Sequence, residues 1–549
     1  MKPIDSSFAS AATGLSRRSF LAGAAGLVGI AGAAALTSCA PTDASSSDAE
    51  LAATGNETTA LKEPTDTREA DIVIVGSGAT GCFAAYEAAK AEVGKVLVVT
   101  KSGNATDSNF NEITGTSSVE SAQLKEAGET ITVDGMYEHM INYAHWTVNA
   151  RLLRSCVELL PSNIEIFDEM GVETMVLGDR YNFGFLNVHG FTGKNKGENF
   201  EAGLQALGVE FLYDSPATHI LMEDDKAVGV QCESGNEVIN VNAKAVLVCT
   251  GGYLANEEKV REEYGGTFVV NMGSLKNTGD GERIVLEAGG VPERIRGMGM
   301  NDIYGMNAKS TISVFEANPF MQLAFYGGLL TDPKGSRFMN EYMLAQEPMN
   351  GGGEATLHEK CYYAIFSENT MNAMKDTSYY ESIGSPAVWT SAATMFNAPL
   401  PDFDANLAKA QEEGWCFKAG SIAELAEVTG LVNLPDTVAE YDGYVKAGFD
   451  AQFLKKPEFL QPIEDGSAVY YAFEYNPSAF NTFGGPRTDE RCRALNANSD
   501  PIPGLYVGGV ENGSLFCSPY YAVGGSCSGL SIASGRIAAR AMVEYLQEE

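Results

Sequence analysis

Residues 71–81 read DIVIVGSGATG, and the order of residue types in this stretch decides the fold. Its first part, Ile72–Val75, is a short β-branched run typical of a buried parallel strand. Three glycines follow in the pattern GxGxxG, and a stretch compatible with a helix continues to Lys90. Glycines at this spacing let the backbone turn tightly and approach a pyrophosphate, whose charge then lies at the helix N-terminus. The stretch therefore predicts an α/β fold that binds a dinucleotide.

The next predicted strand departs from this fingerprint at one point. Residues 95–99 read KVLVV, and the fingerprint usually continues with an acidic residue that binds the ribose hydroxyls. Thr100 and Lys101 stand there instead. The Thr100 hydroxyl can still bond to a ribose oxygen, so we expect an altered contact with the adenosine.

Further glycine-rich segments recur where a strand would pass close to an extended ligand. They are VCTGGY (248–253), NTGDG (277–281), TFGG (482–485) with Asp489 after it, and PGLYVGG (503–509). In this order they resemble the patterns TGG[FY], TGDG, T-x-GG-x3-D and PGLY-x-x-G. These patterns belong to the flavoproteins related to fumarate reductase, succinate dehydrogenase and 3-ketosteroid dehydrogenase. The resemblance extends over essentially all of the chain that follows the N-terminal region.

The resemblance implies FAD as the cofactor and a two-part architecture. A Rossmann-type FAD-binding domain, residues 70–295 and 465–549, would be interrupted by an α+β capping domain, residues 296–464, that holds the substrate. The implied cofactor-binding residues are Gly76, Gly78, Ala79, Gly81, Thr100, Lys101, Ser108, Gly251, Gly252, Asp280, Gly508, Gly509, Glu511, Gly525 and Ser526. One departure concerns Val510, which stands where the family has an acidic residue or asparagine on the ribityl side of the flavin; Glu511 comes one place later.

The segment GSRFMNE, residues 335–341, resembles the GxRFxNE stretch of the family. Reduction of an activated C=C bond needs hydride from the flavin, stabilisation of charge on the activating carbonyl, and a proton donor. The resemblance implies that Arg337 is this acid, although an arginine is a reluctant one, with a reference pKa above about 12. The alternative makes Arg337 a clamp for the capping domain, since the relay arginine of fumarate reductases has no clear match at residues 313–316.

Two positions at which fumarate reductases hold the substrate carboxylates differ in this sequence. Asn481 stands where the family has a carboxylate-binding histidine, and Ala522 replaces the arginine clamp. A carboxylate without a bidentate arginine loses about 1.5–3 kcal/mol or more in a buried site. Fumarate is therefore a poor substrate candidate.

Aromatic residues take the place of the clamp. Tyr520 and Gly524 form a Y-x-x-x-G pattern that resembles 3-ketosteroid dehydrogenases, where the tyrosine hydroxyl and the glycine amide polarise the substrate carbonyl. The resemblance implies catalytic roles for these two residues and the adjacent Tyr521, with Phe516 beside them. Ordinary aromatic packing is the alternative.

The segment before residue 190 adds weaker candidates. Tyr181, Phe183 and Phe185 are possible apolar walls of a substrate pocket, and His189 is a candidate acid. A satisfied structural histidine is the alternative for His189.

We therefore expect an FAD-dependent oxidoreductase that reduces a carbonyl-conjugated C=C bond in an apolar substrate larger than fumarate. A steroid-like enone, an unsaturated lactone and an aryl enoate all fit. The alternatives are a 3-ketosteroid-type dehydrogenase, a fumarate-like dicarboxylate reductase, and a flavin-loaded electron carrier without substrate chemistry.

The N-terminal region resembles an export signal. Residues 16–21, SRRSFL, contain the two adjacent arginines of a twin-arginine signal, and an apolar run of small residues follows at 21–36. Residues 36–39, LTSC, resemble a lipobox whose cysteine is lipidated after cleavage. Residues 1–38 are thus expected to be a signal peptide, and the polar residues 39–69 a flexible tether.

Lipidated Cys39 would anchor the exported protein on the outer side of the membrane. The sequence contains no CxxCH haem motif, so the electrons are expected to come from a separate membrane-bound cytochrome or a similar donor. Exported reductases of the superfamily serve anaerobic respiration of organic acceptors, and the resemblance implies that role here.

Charge and cysteine content bear on two other classes of function. The formal net charge of −35 would repel a phosphate backbone, so we expect no nucleic-acid partner. The ten cysteines include no CxxC pair, so no metal site is predicted, and a cluster built from distant cysteines stays open.

Overall fold

The computed structural model describes residues 60–104, 107–177, 184–193, 195–300, 305–309, 318–346, 353–384, 398–520 and 523–548. Several sequence-based predictions fall outside these ranges: the signal peptide, Cys39, most of the tether, Tyr181, Phe183, residues 313–316, Tyr521 and Ala522.

The strands are β1 (Asp66–Glu69), β2 (Ile72–Val75), β3 (Val96–Val99), β4 (Gly115–Ser117), β5 (Thr174–Val176), β6 (Val188–Phe191), β7 (Glu210–Leu212), β8 (Ala217–Glu223), β9 (Lys226–Ser234), β10 (Glu237–Asn242), β11 (Ala245–Val248), β12 (Val270–Asn271), β13 (Gly297–Met300), β14 (Leu329–Thr331), β15 (Tyr362–Ser367), β16 (Cys416–Ala419), β17 (Tyr470–Tyr475), β18 (Ser478–Phe483), β19 (Arg493–Leu495) and β20 (Pro501–Val507).

The helices are α1 (Ala79–Lys90), α2 (Asn109–Glu112), α3 (Ala122–Glu126), α4 (Val133–Tyr143), α5 (Ala150–Glu169), α6 (Lys196–Ala206), α7 (Glu257–Glu263), α8 (Asp280–Glu287), α9 (Tyr342–Gln346), α10 (Gly353–Leu357), α11 (Glu368–Ala373), α12 (Tyr379–Ser382), α13 (Phe403–Glu412), α14 (Ile422–Thr429), α15 (Leu434–Ala447) and α16 (Ser526–Glu548), with 3-10 helices at Pro319–Phe325, Pro457–Phe459 and Gly509–Glu511. Among the helices that the structure describes, none combines the length and the apolar character needed to cross a membrane.

A six-stranded sheet in the order β19-β20-β11-β2-β3-β7 forms the centre of the fold. β20, β11, β2, β3 and β7 run parallel, and β19 is antiparallel at one edge. The two strands predicted from the sequence are neighbours, with Ile72 opposite Val96 and Val75 opposite Val99. The predicted α/β fold is confirmed.

Both faces of this sheet are covered, which explains the continuous apolar run of β2. Ile72 and Ile74 pack into a core with side chains of α1, α5 and α16. Val73 and Val75 point the other way, toward the four-stranded sheet β1-β10-β9-β8. The strand period of two therefore places alternate side chains in two different cores.

A second, antiparallel sheet has the order β14-β15-β17-β16 and packs against α14 and α15. Its strand β17 lies beyond residue 464, the predicted end of the capping domain. The chain continues into β18, which pairs with β12 and β13 in a three-stranded sheet. The domain boundaries stay predictions.

Candidate active site

A long cleft opens at the carboxyl ends of β2, β3 and β11, where parallel α/β sheets bind their ligands. Its open space, counted together with the adjoining solvent, is about 1070 Å³. Nine of the predicted cofactor-binding residues line it: Gly76, Gly78, Ala79, Thr100, Lys101, Ser108, Gly251, Asp280 and Gly509. The structure thus brings together motifs that are widely separated in the sequence.

The turn between β2 and α1 requires glycine at two of its three fingerprint positions. Gly76 has φ +117°, and a Cβ there would lie 2.5 Å from the carbonyl oxygen of Cys249 in the neighbouring strand segment. A Cβ on Gly81 would lie 1.9 Å from the Gly76 carbonyl oxygen. These glycines let the helix start close to the sheet.

Gly78 is different, because a Cβ there would meet no atom within 4 Å. It is the N-cap of α1 and gives the helix no side-chain hydrogen bond. The first N–H groups of a twelve-residue helix therefore face the cleft without a capping side chain. An anionic diphosphate fits this end of the cleft, so the residues present fit FAD.

The end of β3 is tied to the start of α8. Ser77 Oγ donates a hydrogen bond to Thr100 Oγ1 at 3.1 Å. Lys101 Nζ lies 2.6 Å from Asp280 Oδ2 and 2.7 Å from Thr278 Oγ1. Lys101 and Asp280 thus form an ion pair at the edge of the cleft, and a ribose contact of Thr100 stays a prediction.

Glu511 lies at the back of the cleft and is almost completely buried. Its carboxyl group accepts hydrogen bonds from the backbone N–H groups of Thr250 and Gly251, the second at 3.1 Å. Burial raises the pKa of Glu511 to about 8, and the hydrogen bonds act against that rise. The residue braces the turn after β11, while its neighbour Val510 lines the cleft. A direct contact between Glu511 and the cofactor stays a prediction.

Six predicted cofactor residues are not part of the cleft lining: Gly81 and Glu511, described above, and Gly252, Gly508, Gly525 and Ser526. A Cβ on Gly252 would lie 2.2 Å from Thr482 Oγ1, one on Gly508 would lie 3.0 Å from Thr80, and one on Gly525 would lie 2.6 Å from the Ser117 nitrogen. These glycines permit close packing between protein segments. Ser526 begins α16, with its Oγ 3.5 Å from the Tyr520 hydroxyl.

The far end of the cleft contains residues that the motifs did not indicate as binding residues. Asn481 on β18 is 7% exposed, and its Nδ2 donates to Cys527 Sγ at 3.4 Å. The Asn481 Oδ1 atom has no hydrogen-bond partner in the described part of the chain. Ser528 and Ser531 of α16 lie beside Cys527. The signal for Asn481 was its position in the family's histidine pattern, whereas the α16 residues follow no motif.

Tyr520 is 8% exposed and belongs to an aromatic cluster at this end of the molecule. Its ring centroid lies 4.2 Å from that of Phe483 and 6.3 Å from that of Phe516. A small, mainly apolar pocket borders Tyr520 and Phe516, with Met140 and Leu530 on its other sides. Catalytic roles for Tyr520 and for the Gly524 amide stay predictions.

Arg337 does not line the cleft; it lies in a buried ion cluster. Its guanidinium forms bidentate pairs with Glu341, at 2.7 and 2.8 Å, and with Asp450, at 2.9 and 3.1 Å. Burial alone would lower the pKa of Arg337, but the two carboxylates outweigh it and raise the pKa further. The arrangement favours the clamp over the acid, because the N–H groups on both edges of the guanidinium already donate hydrogen bonds to carboxylates.

His189 is buried on β6, and one ring nitrogen lies 2.9 Å from Ser121 Oγ. Burial lowers the pKa of His189 to about 4, so the ring is neutral near physiological pH. A neutral buried ring favours the structural alternative, although its Nδ1 atom has no hydrogen-bond partner among the described residues. Within the described residues, no three His, Cys, Asp or Glu side chains are grouped closely enough to hold a metal ion.

Comparisons with known proteins agree with this geometry. A family model described as an FAD binding domain matches residues 71–527. The chain is 26% identical over 497 residues to a vinyl phenol reductase of Lactiplantibacillus plantarum, covering 87% of this chain and 97% of that protein. It is 24% identical over 519 residues to a fumarate reductase (cytochrome) of Shewanella frigidimarina, covering 90% of this chain and 81% of that protein.

Among solved structures, the fold is similar to a 3-ketosteroid Δ1-dehydrogenase from Sterolibacterium denitrificans, solved in complex with 1,4-androstadiene-3,17-dione. The TM-score is 0.64 at 17% identity, over 87% of this chain and 100% of that one. At this level of identity the likeness concerns the fold.

Proposed function

The chain belongs to the FAD binding domain family, its relatives are named as reductases and dehydrogenases that act on C=C bonds, and we propose that it reduces the activated C=C bond of an apolar substrate larger than fumarate. The activating group is a carbonyl, as in an enone, an unsaturated lactone or an aryl enoate. Similarity to a vinyl phenol reductase supports the aromatic part of such a substrate; a vinyl phenol has no carbonyl, so the similarity does not bear on the activating group.

One observation carries the proposal: the end of the cleft at Asn481 has aromatic rings beside it and, among the described residues, no arginine. Asn481 and Cys527 line this end, and the Tyr520, Phe483 and Phe516 rings pack beside it. None of the described residues that line the cleft is an arginine. A small dicarboxylate would have no bidentate partner there, whereas a flat apolar molecule would keep favourable contacts with the rings.

The cofactor would be held along the whole cleft. Gly76, Gly78 and Ala79 would contact the diphosphate, Thr100 and Lys101 would lie toward the adenosine, and Val510 and Asn481 toward the flavin ring. When bound, FAD supplies hydride transfer. The Tyr520 hydroxyl would donate a hydrogen bond to the substrate carbonyl, where negative charge develops.

We also propose an exported, lipid-anchored protein that takes electrons from a separate membrane-bound cytochrome. The twin-arginine pattern at residues 16–21 and the lipobox at 36–39 support export and anchoring. Similarity to a protein named fumarate reductase (cytochrome) supports the kind of donor. The chain has no CxxCH motif of its own, so the haem would belong to the partner.

The test is anaerobic re-oxidation of a reduced viologen by the purified, FAD-loaded protein. The panel contains enones, unsaturated lactones, aryl enoates, a vinyl phenol, a 3-ketosteroid and fumarate. We expect turnover with at least one aromatic or polycyclic acceptor and little with fumarate. Preference for fumarate would refute the substrate class, and a loaded protein inert to the whole panel would favour the electron-carrier alternative. Reduction of an artificial electron acceptor by a saturated ketosteroid would instead favour the dehydrogenase.

A further inference from the structure

The proposed reaction requires a proton for the substrate carbon, and the Arg337 guanidinium is held by bidentate pairs with two carboxylates. We propose that Glu354 is the proton donor. This inference rests on the proposed function and names a residue that no motif indicates. Glu354 lies on α10, and Ser518 Oγ donates a hydrogen bond to its Oε1 at 3.3 Å.

The backbone of β13 connects Ser518 with the cleft. A Cβ on Gly297 would lie 2.9 Å from the Ser518 nitrogen, and one on Gly299 would lie 2.5 Å from Asn481 Oδ1. Residues two apart on a strand point to the same face and are separated by about 7 Å. Ser518 and Asn481 therefore lie side by side over one face of β13, and Asn481 lines the cleft.

Tyr520 lies in the same group. It follows Ser518 by two residues and packs on Phe483, which is paired with Gly297 across the sheet. The Glu354 carboxyl group is thus linked through one hydrogen bond to the segment that carries the proposed carbonyl partner. Glu354 lies one hydrogen bond from this segment, and on that ground we infer that its proton goes to the carbon next to the one that takes hydride.

The surroundings of Glu354 favour the protonated form. Burial raises the pKa of the carboxyl group, while the Ser518 hydrogen bond and the charge of His358 act in the other direction. Tyr264 is a further titratable group that interacts with it. The side chain is only half-buried, so water can return a proton after each turnover.

Two other glutamates with raised pKa values lack this combination. Both Glu511 oxygens face the turn at Thr250 and Gly251, so that carboxyl group is already used. Glu359 lies five residues after Glu354, and burial together with the charge of Asp332 raises its pKa. It makes no hydrogen bond to the 516–520 segment among the described residues, which makes it a matched control.

The O–H bond of Glu354 breaks and a C–H bond forms at the carbon next to the activating carbonyl, while the neighbouring carbon gains hydride from the reduced cofactor. The substrate gains two electrons, and the cofactor is left oxidised until the electron donor reduces it again. The Glu354 carboxylate then takes a proton from water.

The experiment compares Glu354→Gln with Glu359→Gln in the FAD-loaded protein by stopped flow. Reduction of the flavin by viologen should be unchanged in both. Re-oxidation by an accepted substrate should slow about 10²–10⁴-fold in Glu354→Gln only, the range for loss of a general acid. In the unmodified protein this rate should fall as pH rises through the pKa of Glu354, and the variant should lack that limb. Equal rates in Glu354→Gln and the unmodified protein, or equal losses in both variants, would overturn the proposal.

A measurement without turnover separates this inference from the proposed function. Across a pH titration, the infrared band of protonated carboxyl groups should contain a component that disappears only above the pH at which ordinary glutamates lose their proton. Glu354→Gln should remove this component, and Glu359→Gln should leave it. Its absence would refute the proton donor even if the enzyme reduces substrates. If the component is present but the protein reduces none of the acceptors, Glu354 has no substrate to protonate, and the assignment is refuted as well.

A second variant tests the proposal even if Glu354→Gln does not fold. Ser518→Ala keeps the carboxyl group but removes a hydrogen bond that lowers its pKa. The pKa should rise, so the falling limb of the substrate half-reaction should move to higher pH. A limb that stays in place would contradict the proposed contact.

Discussion

At the scale of single residues, Arg337 shows what a buried charge cluster demands. Arg337 and Lys455 face Glu341 and Asp450, so the four charges balance in an interior where each side chain is at most 1% exposed. The Arg337 guanidinium also lies 5.0 Å from the centre of the Tyr441 ring. Such a cluster is stable only while every charge keeps its partner.

Replacing Arg337 with alanine should therefore destabilise the fold by about 3–5 kcal/mol, since Glu341 and Asp450 would be left buried and unpaired. Urea unfolding of the flavin-loaded protein measures the change. Arg261→Ala is the control, because its pair with Glu257 is exposed and should contribute less than about 1 kcal/mol. An Arg337→Ala protein of unchanged stability that has lost substrate turnover would restore the acid assignment.

Tyr520→Phe tests the proposed stabilisation of the substrate carbonyl. Removing one hydroxyl donor should slow the substrate half-reaction about 10²–10³-fold, the effect of losing one oxyanion donor, while FAD stays bound. Tyr475→Phe removes a buried hydroxyl that donates to the Phe320 carbonyl at 2.7 Å in the antiparallel-sheet region. It should leave that rate unchanged. Equal rates for Tyr520→Phe and the unmodified protein would reduce Tyr520 to packing.

Sequence patterns predict those site residues that come in motifs. Gly76, Gly78, Thr100 and Asp280 follow strand ends or open helices, and all four line the cleft. Cys527 reaches the cleft only because α16 packs alongside α1 after the chain has crossed the whole fold. A contact of that kind is set by tertiary packing and leaves no local pattern.

At the scale of elements, the first turn of α1 separates a structural glycine from a binding one. Gly81→Ala should destabilise the protein even without FAD, because its Cβ would clash with the Gly76 carbonyl. Gly78→Ala should leave the unfolding midpoint of the apoprotein within a few degrees, since φ is −71° and the added Cβ meets no protein atom. It should nevertheless weaken FAD binding, because the methyl group would protrude where the diphosphate approaches. Thermal unfolding and fluorescence titration with FAD measure the two effects, and equal FAD affinity for Gly78→Ala would contradict this placement.

Glu511, in the 3-10 helix Gly509–Glu511, accepts hydrogen bonds from the turn after β11, and its raised pKa predicts that the stability of the protein depends on pH. Folded Glu511 keeps its proton up to about pH 8, whereas an unfolded glutamate loses it near pH 4.3. Between these values the folded state binds more protons, so stability falls as pH rises, by at most about 1.4 kcal/mol per pH unit. His189, with a folded pKa of about 4, acts in the opposite direction but only below about pH 6.5.

In the window from about pH 6.5 to 8, His189 no longer contributes to the pH dependence. Glu511→Gln should make the fall in the free energy of unfolding there smaller, as measured by urea titrations at several pH values. Glutamine fits the site: its oxygen can accept from the Thr250 and Gly251 N–H groups, and its NH₂ can donate to Thr250 Oγ1. A variant whose pH dependence matches that of the unmodified protein would mean that Glu511 is ionised in the folded state.

The helices and strands differ in how clearly their own sequences predict them. β2 and β3 are continuous apolar runs, because both of their faces are buried. β13 reads GMGM, which has low strand propensity. Its glycines make room for the 516–520 segment and for Asn481, so the reason for the strand lies in distant parts of the chain.

At the scale of the whole molecule, the ordered motifs predicted family, fold, FAD and enzyme class, and all four are confirmed. Five motifs in one order constrain a fold strongly, since some of their glycines border one cleft and others permit close packing between the segments around it. The substrate is less determined, because its pocket depends on how the region between β13 and β18 sits over the cleft. Residues 521 and 522, which the sequence places beside it, lie outside the described ranges.

The proposed lipid anchor can be tested through the charge of the whole protein. A formal net charge of −35 repels anionic headgroups, so electrostatic attraction to a bilayer cannot hold this protein at the membrane. If Cys39 carries the lipid, Cys39→Ala should move the folded, flavin-loaded protein from the membrane to the soluble fraction outside the cytoplasm. Cys361→Ala, which changes a cysteine far from the lipobox, should leave it membrane-bound. Fractionation and intact mass measure location and acylation, and a Cys39→Ala protein that still sediments with membranes would contradict the lipobox.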